Sequence, residues 1–167
     1  MKKHLSLFLL LASLASCRNK LDQYGEVFQT VMKSEDGVFR GININDSRER
    51  VESEENKSAD AFTDNMLLYE IAINETATLT VRYGFESGKL FEIGADAEFE
   101  KQEDGIALIN AFKQYYTAKL GSAQTAAGFV TWNGNVDGQA IRIEMTDEAE
   151  LSSFNAWSIS IYRDRKP

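Results

Sequence analysis

Residues 67–99 read L-L-Y-E-I-A-I-N-E-T-A-T-L-T-V-R-Y-G-F-E-S-G-K-L-F-E-I-G-A-D-A-E-F, and their period of two decides the fold. Leu67, Tyr69, Ile71 and Ile73 alternate with Leu68, Glu70, Ala72 and Asn74. After a turn near Asn74-Glu75, Ala77, Leu79, Val81, Tyr83 and Phe85 alternate with Thr78, Thr80, Arg82 and Gly84. Glu86-Ser87-Gly88 supplies a hairpin loop, and beyond it Phe91, Ile93, Ala95, Ala97 and Phe99 alternate with Glu92, Gly94, Asp96 and Glu98. Successive side chains of a strand point to opposite faces, so each segment predicts a strand with one apolar and one mostly polar face. Three such strands joined by short turns predict an antiparallel meander.

On the C-terminal side the period lengthens. Leu108, Ile109, Phe112, Tyr115, Tyr116 and Leu120 form one stripe of a helix predicted over Asp104–Leu120. Glu103 and Asp104 stand at its start, Lys113 and Lys119 nearer its end, and Gly121 follows as a stop. Three more strands are predicted over Gly128–Trp132, Gln139–Met145 and Ala156–Tyr162, with Ile141, Ile143, Met145, Trp157, Ile159 and Ile161 facing inward.

On the N-terminal side, Leu21, Tyr24, Phe28, Val31 and Met32 predict a helix over Lys20–Ser34, with Gly25 a weak point within it. Gly37–Ile44 reads as extended. Asp46 followed by Glu49 resembles a capping box opening a short helix over Arg48–Glu55. Residues 45–65 are charged and carry only Val51 and Phe62 as large apolar side chains, which predicts a mobile stretch. The fold class is α+β: a two-layer sandwich of an antiparallel sheet of about six strands with helices packed on one face. The order of helix then strands occurs twice, as a helix-plus-three-strand unit repeated twice would give.

Residues 1–16 have the form of a signal peptide: Lys2, Lys3 and His4, then an apolar run from Leu5 to Ala15. That run is too short for a bilayer span, which needs about 20 apolar residues. It ends in Leu14-Ala15-Ser16-Cys17, which resembles the bacterial lipobox, Leu-[Ala/Ser]-[Gly/Ala/Ser]-Cys. The resemblance implies cleavage before Cys17, diacylglycerol on its thiol as the lipid attachment, and acylation of the new amino group. Arg18 stands where Asp marks inner-membrane retention in enterobacteria, which implies an outer-membrane lipoprotein of the cell envelope, facing the periplasm or the surface. Residues 17–20 would be a short lipid tether, spanning roughly 10–14 Å when extended, and 21–167 a single domain. So short a tether predicts a protein partner in or near the membrane.

Loss of residues 1–16 would leave about 150 residues, one domain's worth, and a formal charge of about −10. An acidic balance of this size argues against a nucleic-acid partner and against docking on anionic lipid through a basic face. His4 is the only histidine and Cys17 the only cysteine. The mature domain would therefore lack the groups for Ser-His-Asp or Cys-His nucleophilic catalysis and for zinc sites built from His or Cys. No cofactor is expected. An enzyme is not expected either, since only carboxylate, Ser/Lys or metal–carboxylate routes remain.

Phe39–Val51, F-R-G-I-N-I-N-D-S-R-E-R-V, resembles the opening of the small SmpA/OmlA (BamE-like) lipoprotein modules, a Gly-Met-[Ser/Thr]-x-x-x-Val turn into a helix followed by a strand meander. Ser47 and Val51 match that spacing, Asn45-Asp46 replaces Gly-Met, and the Gly-x-Pro after the helix is absent. The β-lactamase-inhibitor-protein-like modules pair two such α/β units. The resemblance implies a non-enzymatic protein-binding module that assists envelope assembly or inhibits another protein.

Four groups carry candidate chemistry. In Asn133-Gly134-Asn135-Val136-Asp137-Gly138, with Glu144 beyond, the residues fall at calcium-loop positions. Asn-Gly and Asp-Gly are also the strongest hairpin signals, and the strand-like flanks favour a hairpin with no metal. Glu98, Glu100, Glu103 and Asp104, with Asp147, Glu148 and Glu150, are enough for a carboxylate pair but read as solvated loops and a helix start. Trp132 and Trp157 fall on apolar strand faces and read as core rather than sugar platforms. Finally, the alternation assigns Thr80, Arg82, Glu92, Arg142, Glu144, Ser160 and Tyr162, with Thr78 and Ser158, to one polar sheet face, the candidate partner-binding surface. The functional expectation is a membrane-anchored, non-enzymatic protein-binding or scaffolding lipoprotein; the alternative is a carbohydrate- or small-ligand-binding one.

Overall fold

The structure, a computed structural model, describes residues 20–147 and 155–164. Residues 1–16, expected to be a signal peptide, and Cys17, Glu148 and Glu150 lie outside the described residues. A turn of 3₁₀ helix over Lys20–Tyr24 leads to α1 (Glu26–Met32) and α2 (Arg48–Glu55). Strands β1 (Ala61–Thr63), β2 (Met66–Ala72), β3 (Thr78–Glu86) and β4 (Lys89–Glu98) follow, then α3 (Gln102–Leu120). The chain closes with β5 (Gln124–Ala126), β6 (Phe129–Val136), β7 (Gln139–Thr146) and β8 (Ala156–Arg163). No helix among the described residues is long and apolar enough to cross a membrane.

The fold is α+β, with one antiparallel sheet of eight strands in the order β1-β2-β3-β4-β8-β7-β6-β5. Eight strands replace the expected six because β1 and β5 were illegible: each has three residues, all exposed, with no apolar alternation. They form the two sheet edges, and such short edges offer little template for pairing with another chain. Strands β1–β4 form one meander and β5–β8 another. The two join at the β4–β8 seam, which runs from Glu92↔Tyr162 to Glu98↔Ala156.

The inner sheet face is continuous across that seam. Leu79, Val81, Tyr83, Ile93 and Ala95 from one half, and Trp132, Ile143, Met145, Trp157, Ile159 and Ile161 from the other, are all buried. The α3 stripe of Leu108, Ile109, Phe112, Tyr115 and Tyr116 is buried with them and packs on β6 and β8. Phe112 stacks on Trp157 at 5.1 Å, and Phe28 of α1 packs on Phe112 at 4.7 Å. Each large apolar side chain removed from water contributes about 1.5–3 kcal/mol, so this sheet–helix layer is the main source of stability. Trp132 Nε1 donates to Thr117 Oγ1 at 3.2 Å, which meets its polar requirement inside the core.

Four local expectations are corrected. The Lys20–Ser34 helix is interrupted at Gly25, whose φ of +89° breaks it into the 3₁₀ turn and α1. Gly37–Ile44 is not extended: Phe39 and Ile42 exchange backbone hydrogen bonds, and Val38 N also donates to Ile42 O, around Arg40 and Gly41, both at positive φ. The cap of α2 is Ser47, whose hydroxyl accepts from Arg50 N, while Asp46 accepts instead from Asn43 N at 2.7 Å. In β4 the register with β3 slips between Gly84 and Phe85, which turns Leu90 inward and leaves Phe91 half-buried against Gly84. The stretch 45–65 holds α2 and β1, pinned by a fully buried Val51.

Candidate partner-binding sheet face

With the helices on the inner face, the outward side chains of the sheet form one surface. Register places Arg82 beside Gly94, Ser160, Glu144 and Thr131 in one row across the sheet. A neighbouring row runs Gly84, Glu92, Tyr162, Arg142 and Asn133. Thr80, Asp96 and Ser158 make a third. All seven residues expected on the polar face, and Thr78 and Ser158 with them, therefore share one side of the sheet. No described helix lies on it.

Two glycines shape this surface. Arg82 lies across Gly94, its Nε and Nη2 about where a β-carbon there would meet them at 3.7 Å. Phe91 lies over Gly84, where a β-carbon would come within 3.2 Å of its ring. Both long side chains thus lie along the strands rather than standing off them.

Three ion pairs lie on or beside the face. Arg82 meets Asp96 at 2.5 Å, Arg142 meets Glu144 at 2.5 Å, and Arg163 meets Glu86 at 3.2 Å. Solvent-exposed pairs of this kind contribute about 0–1 kcal/mol each, so they order the surface more than they stabilise the fold. The bond to Glu144 raises the Arg142 guanidinium further above its usual range. Partial burial, and then the same carboxylate, push the Tyr162 phenol up. Arg142 and Tyr162 therefore keep their protons throughout the physiological range. Arg142 Nε is buried with no hydrogen-bond partner among the described residues.

Arg142 also separates two hollows on this face. One, of about 400 Å³, is lined by Phe91, Glu92, Arg142, Tyr162, Arg163 and Asp164. The other, of about 250 Å³, is bordered by Gln124, Phe129, Thr131, Asn133, Arg142 and Glu144. Phe129, 46 % exposed, is one of two large apolar side chains on the described surface. The other, Phe62 at 71 %, borders a third hollow of about 550 Å³ between α2 and β1, with Arg48, Glu52, Asn56 and Leu67. Sequence periodicity gave no sign of that hollow, since its residues fall in the charge-rich stretch.

The other candidates are dispersed or enclosed. Trp132 and Trp157 are buried. Glu98, Glu100 and Glu103 are exposed, and Asp147 pairs with Lys113 at 3.1 Å. Asn133 to Glu144 forms a β-hairpin whose two-residue turn is Asp137-Gly138, both at positive φ. Glu144 is engaged by Arg142, and Asp137 accepts from Asn43 Nδ2 at 2.8 Å. The ladder stretches these residues along two strands, where a calcium loop would wrap them around one point.

One polar cluster was missed by sequence reasoning. Arg40 Nε and Nη2 donate to the two carboxylate oxygens of Glu55 at 2.8 and 2.9 Å, with both residues buried. The Tyr83 hydroxyl donates to the same carboxylate, and Lys33 stands 3.6 Å from it. Arg40 Nη1 also donates to the carbonyls of Thr30 and Val31 at the end of α1. Burial disfavours the charged form of Glu55, but Arg40, Tyr83 and Lys33 outweigh it and hold the carboxyl below its ordinary range. Burial, followed by Glu55, pushes the Tyr83 phenol well up. The cluster locks α1, the 38–42 turn, α2 and β3 together, and Arg40, Glu55 and Tyr83 line none of the hollows described above, so its role is structural.

Comparison of the chain with protein-family models, with curated proteins and with solved structures finds no match.

Proposed function

We propose that this chain is a lipid-anchored, non-enzymatic protein-binding or scaffolding module of the bacterial envelope, and that it docks its partner on the open face of its sheet. The observation that carries this reading is the surface itself. Thr80, Arg82, Glu92, Arg142, Glu144, Ser160 and Tyr162 share one uncovered side of an eight-stranded sheet whose central strands pack their other side into the core. Pre-paired charges and two shallow hollows around Arg142 fit a protein surface, which recognises by charge register and by apolar anchors in pockets. The lipobox supports anchorage through lipid on Cys17 and an outer-membrane address. The SmpA/OmlA-like turn at Ser47–Val51, and a helix followed by four strands in each half of the chain, support a doubled module of the binding type.

Two experiments test the parts separately. Cys17→Ala is expected to abolish fatty-acid incorporation and membrane retention; a mutant that still incorporates labelled fatty acid overturns the anchor. For the face, the wild-type protein and an Arg82→Glu/Arg142→Glu variant of equal thermal stability are used to capture partners from native envelopes. The reading requires a discrete partner retained by the first and lost by the second. Equal capture by both rejects it.

A second reading has its own observation. Phe91 and Tyr162 line the 400 Å³ hollow together with Arg142, Arg163, Glu92 and Asp164, a mix of apolar walls and polar groups that suits a small ligand or sugar unit. Calorimetric titration with sugars and small anions separates the readings: saturable heat abolished by Tyr162→Ala favours this one.

A further inference from the structure

The first described residues lie in the helical layer. Leu21 is buried, and Tyr24 packs on Phe28 at 4.9 Å and edge-on against Tyr115 of α3 at 5.7 Å. From there the aromatic chain continues through Phe28 and Phe112 to Trp157 on the inner sheet face. Lys20, whose side chain is 77 % exposed and pairs with Glu35, thus emerges on the side of the molecule opposite the open sheet face. Beside it Lys20, Gln23, Tyr24, Glu35, Ala118 and Lys119 border a hollow of about 370 Å³.

We propose that this helical side, around Lys20, Gln23 and Ala118, is the surface the protein turns towards its own membrane, so that the open sheet face is presented to the aqueous compartment. The inference rests on the reading of Cys17 as the acylated residue and adds an orientation to it. From Cys17 to Lys20 there are three peptide steps, which reach at most about 10–11 Å. Burial of Leu21 in the core keeps the tether from lengthening. Sheet and helix layers stand about 10 Å apart and a helix is about 10–12 Å across, so the outer sheet face lies at least roughly 20 Å from the outer helical surface. The lipid therefore cannot pass around the layers to bring the sheet face down onto headgroups. Lys20 and Lys119 are accompanied by Asp22, Glu26 and Glu35, which leaves no basic patch. The orientation follows from reach rather than charge, and it is insensitive to salt. A partner meets the sheet face from the aqueous side, with a segment that stands clear of the bilayer.

Because acylation occupies the only native thiol, a single introduced cysteine can be labelled in the full lipidated protein. Gln23→Cys reports the helical side and Ser160→Cys the sheet face; Thr131→Cys is a second sheet-face position should Ser160→Cys fold poorly. Each carries a fluorophore, in vesicles of phosphatidylethanolamine and phosphatidylglycerol doped with a headgroup-nitroxide lipid. The expected result is several-fold stronger quenching at Gln23 than at Ser160, unchanged by added salt. Equal quenching, or stronger quenching at Ser160, overturns the orientation while leaving the anchor intact. A purified protein whose mass shows no acyl chains removes the anchor, and the orientation falls with it.

Discussion

Arg40 grips the carboxylate of Glu55 with two parallel hydrogen bonds of 2.8 and 2.9 Å, in a site where the residues are only 4 % and 6 % exposed. Arg40 holds this position with φ at +55°, in a turn that seats it beneath the end of α1. Removing one partner of a buried ion pair costs about 3–5 kcal/mol, because the other charge is left in the interior. Glu55→Gln is therefore expected to lower unfolding free energy by about that amount in urea titration. The double variant Arg40→Met/Glu55→Leu should lose less than the sum of its single variants, since it buries no lone charge. A loss below about 1 kcal/mol for Glu55→Gln would show that the pair is not buried as described.

The same pair sets an acid limit. The Glu55 carboxyl is held below its ordinary value of 4.5, so the stability it contributes is fully present above that value and is lost as pH falls through the depressed one. The stability difference between wild type and Glu55→Gln should be constant from neutrality to mildly acidic pH and narrow below 4.5. Parallel urea titrations across that range check it; a gap that narrows between pH 8 and 6 contradicts the assignment.

Gly37 has φ of +68°, and a β-carbon there would sit 2.6–2.8 Å from backbone atoms of Gly41 and Ile42. Backbone cannot yield as a flexible side chain can. Gly37→Ala is expected to cost at least about 1–3 kcal/mol, read as a lowered midpoint of thermal or urea unfolding. An unchanged midpoint would mean that the 37–42 turn has another shape.

Millimolar calcium should leave the melting temperature unchanged. A ligand that binds only the native state stabilises by about 2.7 kcal/mol at a hundredfold excess over its Kd, which a thermal scan detects readily. A calcium-dependent rise abolished by Asp137→Ala would overturn the hairpin reading of Asn133–Glu144.

Most of the sheet was legible in sequence because period-two alternation is a direct consequence of packing one strand face. Leu79, Val81, Tyr83, Ile141, Ile143, Ile159 and Ile161 all face inward as that alternation requires. Phe91 defeated it, since a one-residue slip of register leaves no mark in hydrophobic pattern. The edge strands escaped because Ala61–Thr63 and Gln124–Ala126 bury nothing. Residues of the open face could be assigned to a common side by alternation, but the Arg163–Glu86 pair and the hollow between Phe91 and Arg142 arise from contacts between strands far apart in the chain. The Arg40–Glu55–Tyr83 cluster joins positions 15 and 28 residues apart and follows no period. Its only trace was Arg40, a lone charge within the apolar run V-F-R-G-I.

The claim that the open sheet face is the docking surface is tested most directly by site-specific photo-cross-linking in intact envelopes. A photoreactive residue at Ser160, between Arg82 and Glu144 on the outer face, is compared with one at Gln23 on the helical side. The account predicts a discrete protein adduct from Ser160 that disappears when Arg142→Glu is added, and none of that mass from Gln23. The same adduct from both positions, or from Gln23 alone, would contradict it.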